Sequence, residues 1–460
     1  MNVHRLGFWA WMAYLLIDFG QLHRMIPGLS HLKPGALATV ALILLVALEL
    51  PRGLSAPGGG WLRALVAWRV LFLIAVATGL VLGVTQGRAL MVLKTEAPRF
   101  AAAFLGALLF LRRLPDLRAL LNAFLLMDFL LSAWVLAHGG HGPGLYIDEN
   151  DVGLVLVMLL PFPFLRIFAP DSRPAARLVS GLIFALSLCA IGMTLSRGAM
   201  VGSIPALLFC WLKSRQKALS LALGGVALAV AVVFAPPNFK KEFESIGDAK
   251  ESTAAARRYY WDLSVQMWEH RPVFGVGAMG WGNALYSGLF TLPDRRAHMT
   301  PHSVYFQCWT ELGLFGMFCW FGFIAAGFRE ARSLGRNRMR AGLALAAGED
   351  PDPAALARLR AAMDFLVPFG SCLIIGMIGY LVSGAFLSVL FYPGLALFAA
   401  IAQASAAVWR RELLLEALAA GPEAPPARAV EIAWPRRRDA AEAGLGAAAG
   451  PGTAAQGAAS

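Results

Sequence analysis

Apolar residues in this chain gather into long runs, at 7–22, 35–50, 63–83, 97–111, 119–137, 152–168, 178–195, 198–212, 217–235, 303–328, 364–387 and 388–408. Crossing the hydrocarbon core of a bilayer as a helix takes about 20 such residues. The pattern therefore predicts an all-α, polytopic integral membrane protein with about twelve transmembrane helices. Two connections are longer than the rest. Residues 236–302 form one large polar loop, and 329–363 an insert in which Asp352 before Pro353 reads as a helix start and "AALARLRAAM" as a helix body. From Arg410 onward the chain is rich in Ala, Gly and Pro and lacks the apolar content to build a core. The organisation expected is a membrane domain over 1–408 followed by a disordered tail over 409–460.

Composition agrees with this pattern. The chain is 58% hydrophobic and 15% charged, with a mean hydropathy of +0.62, which excludes an ordinary soluble domain. A basic residue precedes the first run, as in a signal peptide, but no small-residue cleavage site follows it and further apolar runs do, so it reads as an uncleaved first span. Cys189, Cys210, Cys308, Cys319 and Cys372 all lie inside apolar runs without a CxxC pair. They read as packing residues rather than as a metal cluster or a disulfide framework.

The net charge of +12 raises the question of nucleic acid, and its distribution answers it. Lys and Arg bunch in alternate connections, at 112–118, 166–177, 213–217 and 329–340, and in the tail. By the positive-inside rule these are cytoplasmic, which puts both termini inside and makes the number of spans even. The connections at 138–151, 196–198 and 236–302 then face outward, the last as a large periplasmic loop.

Ionisable groups in or beside membrane spans are costly and are functional candidates by default. On the outward side stand Arg197 in "TLSRGAMVG", Arg257 and Arg258 in "TAAARRYYWDLSVQMW", and His302 in "TPHSVYFQCWTELGLFG". Each has a bland account when taken singly: an arginine snorkelling to headgroups, a solvated arginine on an interfacial helix, a capping histidine ahead of an ordinary helix start at Ser303. The segment after Arg258 reads as an amphipathic helix with Trp261, Val265 and Trp268 on one face. Gly275, Gly277, Gly280 and Gly282 lack the strand and the Lys-Ser or Lys-Thr of a nucleotide loop, and read as a tight turn whose backbone can approach a polar headgroup. Taken together the residues say more. Guanidinium groups grip phosphate oxygens bidentately, and a neutral imidazole accepts a hydroxyl proton near neutral pH.

Three stretches, "TLSRGAMVG", "RRYYWDLSVQMWEHRPVFGVGAMGWGN" and "TPHSVYFQCWTELGLFG", resemble the O-antigen ligase and polysaccharide polymerase superfamily of bacterial membrane glycosyltransferases, over about residues 140–330. The resemblance implies transfer of a glycan from undecaprenyl pyrophosphate to an acceptor hydroxyl, such as that of lipid A core, at the periplasmic face of the inner membrane. It implies no metal, nucleotide or other cofactor and no nucleic-acid partner. Carried over by motif, Arg197 and Arg257 bind the donor pyrophosphate and His302 is the catalytic base. Two positions depart from the family pattern: Ser303 stands where Asn often follows the histidine, and Glu149 in "YIDENDVGLVLVMLLPF" stands where Pro is usual. A polymerase joining lipid-linked repeat units, or transfer to a protein, would use the same residues. A transporter or lipid-linked glycan flippase is a reading of a different class, resting on Asp18, Arg69 and Asp128 inside apolar runs.

Overall fold

The computed structural model describes residues 3–55, 60–169, 172–214, 216–233, 252–284, 300–336 and 353–419. No strand occurs among them. The helices are α1 (Val3–Tyr14), α2 (Pro34–Ser55), α3 (Gly60–Leu82), α4 (Gln86–Arg99), α5 (Leu114–Ala137), α6 (Glu149–Leu159), α7 (Pro161–Phe168), α8 (Pro174–Met193), α9 (Arg197–Lys213), α10 (Lys217–Val233), α11 (Ser252–His270), α12 (Val304–Ser333), α13 (Pro353–Gly384) and α14 (Gly394–Ala419). Shorter helical segments, the longest of them Leu105–Phe110, lie between them. Two compact units are present, one of residues 1–335 with 362–409 and the other of 336–361 with 410–460. In the second, the described residues are Arg336, the opening turns of α13 and the closing turns of α14.

Helix starts follow local chemistry. Asp116 accepts the backbone N–H groups of Arg112 and Arg113 at 3.2 and 2.9 Å ahead of α5, Asp148 caps α6 through the Asn150 N–H at 2.8 Å, and Pro174 opens α8. Of the described helical segments, seven are long and apolar enough to cross a membrane: Leu29–Pro51, Leu65–Leu82, Leu114–Ala137, Glu149–Phe168, Pro174–Met193, Val304–Ser333 and Leu356–Gly384. Arg197–Leu212 and Lys217–Val226 are shorter apolar helices. Other apolar runs are divided by local features. The first ends in a π-helical turn at Leu15–Phe19, and the run at 97–111 passes through a π-helical turn at Phe100–Phe104 beside Pro98.

The first unit is held by close helix contacts. Gly322 of α12 lies against the Trp68 ring of α3, and Trp68 meets Phe318 edge-on at 5.2 Å. Phe124, Phe162, Phe369 and Phe398, from α5, α7, α13 and α14, pack with centroids 4.7–5.8 Å apart. Cys210, Cys308, Cys319 and Cys372 are buried among such contacts and Cys189 is partly buried; all five are free thiols.

Two sequence expectations change. The helix expected in the 329–363 insert and the span after it are one continuous helix, α13, while Asp352 lies outside the described residues. α14 continues to Ala419 through the division between the two units at 409/410, and residues 420–460, most of the expected tail, lie outside the described part. The glycine-rich stretch approaches protein backbone rather than being left free for a headgroup. α12 breaks at Gly313 (φ 65°, ψ −164°), and the stretch fills the break. Val276 and Gly277 donate their N–H groups to Thr310 O and Glu311 O, both at 2.9 Å, while Leu314 and Phe315 donate to Pro272 O and Val273 O at 2.9 and 3.0 Å. A side chain on Gly275 or Gly313 would collide with the facing backbone, and both have positive φ.

Four of the intramembrane charges, Asp18, Arg69, Glu96 and Arg99, form one connected set of ion pairs. Arg69 meets Glu96 at 2.5 Å and lies over the rings of Phe72 and Phe323, and Arg99 bridges Glu96 and Asp18, each at 3.5 Å. Tyr14 donates its hydroxyl to Asp18 at 3.1 Å. Asp128 is fully buried and accepts the Ser132 hydroxyl at 3.4 Å.

Candidate functional site

Arg197 is the first residue of α9 and is half-buried. The turn ahead of it is built by polar side chains. Ser196 caps α9 by accepting the Ala199 N–H at 3.2 Å, and its hydroxyl donates to Asn150 Oδ1 at 2.8 Å, in the first turn of α6. The left-handed residue of this turn is Leu195 (φ 52°), whereas Gly198 is already helical. Gly198 serves close approach instead: a Cβ there would lie 3.2 Å from Ser383 O and 3.5 Å from Phe386 Cβ.

Arg257 lies on α11, half-buried, with its guanidinium carbon 5.9 Å from the centroid of the Phe386 ring, within cation–π range. Arg258 is exposed. Two faces of α11 are engaged. Trp261 stacks on Phe306 of α12 at 5.1 Å and Trp268 meets Trp309 at 4.9 Å, so two residues of the face read from the sequence pack on α12. A deeper face of Tyr260, Leu263 and Met267 packs with Val276, Trp281 and Ala284. Its apolar character was masked in the sequence by the arginines and Asp262 interleaved with it.

His302 has φ 46°, a left-handed conformation that costs a non-glycine residue of order 1–3 kcal/mol unless its surroundings enforce it. They do so on both sides. Trp261 Nε1 donates to Pro301 O at 2.9 Å, and the His302 N–H donates to Ser388 Oγ at 3.0 Å. Ser303 follows in extended geometry at the N-cap of α12 and makes no side-chain cap bond; its carbonyl accepts the Gln307 N–H at 2.8 Å. Burial and the Arg257 guanidinium lower the His302 imidazole below its ordinary range, and Asp148 opposes them. Since the residue is exposed by accessible surface, the guanidinium is the firmer of the two causes.

The non-helical link between α13 and α14, residues 385–393, is common ground for these elements. Gly198, next to Arg197, faces the end of α13 and Phe386 so closely that only a Cβ would fit between; Arg257 lies over Phe386; His302 is bonded to Ser388. A further bond fixes the link to α12, Leu390 N–H to Gln307 Oε1 at 3.1 Å, and the last turn of α13 is tied to the same helix by Tyr305 OH to Leu381 O at 2.9 Å. The sequence reading missed Asn150, Phe386 and Ser388. For the latter two, the available signal was the interruption of an apolar run by Gly384, Ser388 and the Pro393-Gly394 pair. His298, Ser245 and Ser287, all in the loop at 236–302, lie outside the described residues. Among the described residues no group of three or more His, Cys, Asp or Glu side chains is placed to hold a metal ion.

Residues 182–321 match the family model described as O-antigen ligase, and Arg197, Arg257 and His302 all fall within the match. No curated protein matches the chain significantly. The chain is thus a polytopic helical membrane protein with a region, residues 182–321, that is similar to the O-antigen ligase family.

Proposed function

We propose that this protein is an O-antigen ligase-like glycosyltransferase of the bacterial inner membrane, crossing it about twelve times by the count of apolar runs. Both termini lie in the cytoplasm and the site opens to the periplasm. Arg197 and Arg257 hold the pyrophosphate of an undecaprenyl-linked glycan donor, and the lipid stays in the bilayer. The acceptor hydroxyl, on lipid A core, attacks the anomeric carbon from the side opposite the pyrophosphate. The new C–O bond forms as the bond to pyrophosphate breaks, the leaving group takes the electron pair, and the configuration inverts. His302 takes the hydroxyl proton. Charge complementarity to the leaving group and fixed orientation supply most of the catalysis, so the chemistry needs no metal.

The single observation that carries this reading is the convergence of the Arg257 and His302 elements, and of the helix that begins at Arg197, on the segment that joins α13 to α14. A base must be neutral to accept a proton, and a neighbouring guanidinium favours that form. A polymerase would share the donor chemistry and differ in its acceptor. The lipid-linked species that accumulates in a deletion strain separates the two: full-length polymer on the carrier lipid supports the ligase, and a single repeat unit on it overturns the ligase in favour of a polymerase. A transporter draws less support, because Asp18 and Arg69 are engaged in ion pairs within the helix bundle.

A further inference from the structure

We infer that Ser388 is the positioning residue of the site, holding the His302 main chain in the conformation from which its imidazole acts; this rests on the base role proposed for His302. His302 is the one left-handed residue among those assigned to the site, and the Ser388 hydroxyl is the hydrogen-bond acceptor for its N–H. Ser388 comes from far along the chain and is itself fixed. Tyr380 donates its hydroxyl to the carbonyl of Val389, and the Leu390 N–H is held by Gln307 of α12 at 3.1 Å. Two residues before Ser388 is Phe386, the ring under Arg257. The link therefore sets the base and one donor-binding arginine in a single register, and a change at Ser388 moves His302 relative to Arg257 without touching either side chain.

The test uses the purified full-length protein and two readouts. The first needs no substrate: titration of the His302 ring by NMR, identified by the signal missing from His302→Gln. Ser388→Ala should shift the titration midpoint upward, toward that of an ordinary histidine, because the imidazole leaves the field of Arg257. Ser388→Thr, which keeps the hydroxyl, should restore the wild-type midpoint. The second readout is transfer from undecaprenyl-pyrophosphate-linked glycan to lipid A core. Ser388→Ala should lower kcat about 10- to 100-fold while the donor KM changes less than about 2-fold, and Thr should recover most of the loss. In the His302→Gln background the same change should have no further effect. Should the Ala variant fail to insert, Ser388→Cys, a weaker acceptor of similar size, takes its place with the same expectations. A folded Ala or Cys variant with wild-type midpoint and wild-type kcat overturns the inference, while full activity in His302→Gln overturns the base role instead.

Discussion

The Ser196 hydroxyl donates to Asn150 Oδ1 at 2.8 Å, tying the turn that presents Arg197 to the first turn of α6. The same oxygen accepts the Ala199 N–H, so one side chain both starts the arginine's helix and fixes where it starts. Ser196→Ala should lose the cap and the tie, costing about 1–2 kcal/mol in thermal unfolding. It should also lower transfer. Asn150→Ala should lower transfer with a smaller effect on unfolding, and the double variant should be less impaired than the sum of the two, since they share one interaction.

Arg197→Lys and Arg257→Lys keep the charge and lose the planar fork. At a bidentate phosphate site that is not a conservative change, so activity should fall at least about tenfold while insertion is unaffected. Normal product from both variants in a purified assay would return the arginines to a headgroup-contacting role.

His302→Gln should reduce transfer by about 10²–10⁴-fold with little loss of stability. His270, exposed at the end of α11 with Nδ1 at 2.8 Å from Gln266 O, should tolerate the same change. Steady-state rates on both variants make the comparison.

The pH dependence has a definite sign. Activity requires the neutral imidazole, so it should decline as pH falls through the His302 midpoint. That midpoint is lowered by burial and by Arg257, so the wild-type acid limb of kcat/KM should lie below the ordinary histidine range. Arg257→Gln should move the limb to higher pH. An unmoved limb in that variant would dissociate Arg257 from the base.

Topology can be read with single cysteines in a cysteine-free background. Gln266 and Thr300 are exposed on the side assigned to the periplasm, and Gln216 and Arg336 on the side assigned to the cytoplasm. A membrane-impermeant thiol reagent applied from the periplasm should label cysteines at the first two positions and spare the others. The reverse pattern inverts the proposed orientation.

Most helices were legible because the bilayer demands runs of apolar residues and few other structures in the chain do. The link at 385–393 was not, and the reason is physical. Phe386, Leu387, Val389, Leu390 and Phe391 are as apolar as any span, so hydropathy reads straight through a segment whose backbone is instead satisfied by Ser383, Gly384, Val389 and Gln307. The glycines at 275 and 277 were visible as a tight turn, but their partner, the break at Gly313, lies beyond a whole helical segment. Arg197, Arg257 and His302 were found because charge at a membrane boundary is rare. For Phe386 and Ser388 the sequence offers only the interruption of an apolar run by Gly384, Ser388 and Pro393-Gly394, which marks a break without saying what packs on it.

The ion pairs of Asp18, Arg69, Glu96 and Arg99 also bear on how the protein is made. These charges cancel only when α3, α4 and the turn after α1 have come together. A helix released alone into lipid would carry an uncompensated charge, at about 2.5–3.5 kcal/mol for a residue near the helix centre. The early helices are therefore expected to be held beside the insertion machinery until α4 has emerged, so that the nascent chain enters the bilayer as a group. A chain stopped after Leu82 would contain Asp18 and Arg69 without Glu96 or Arg99 and should be a substrate for membrane quality control.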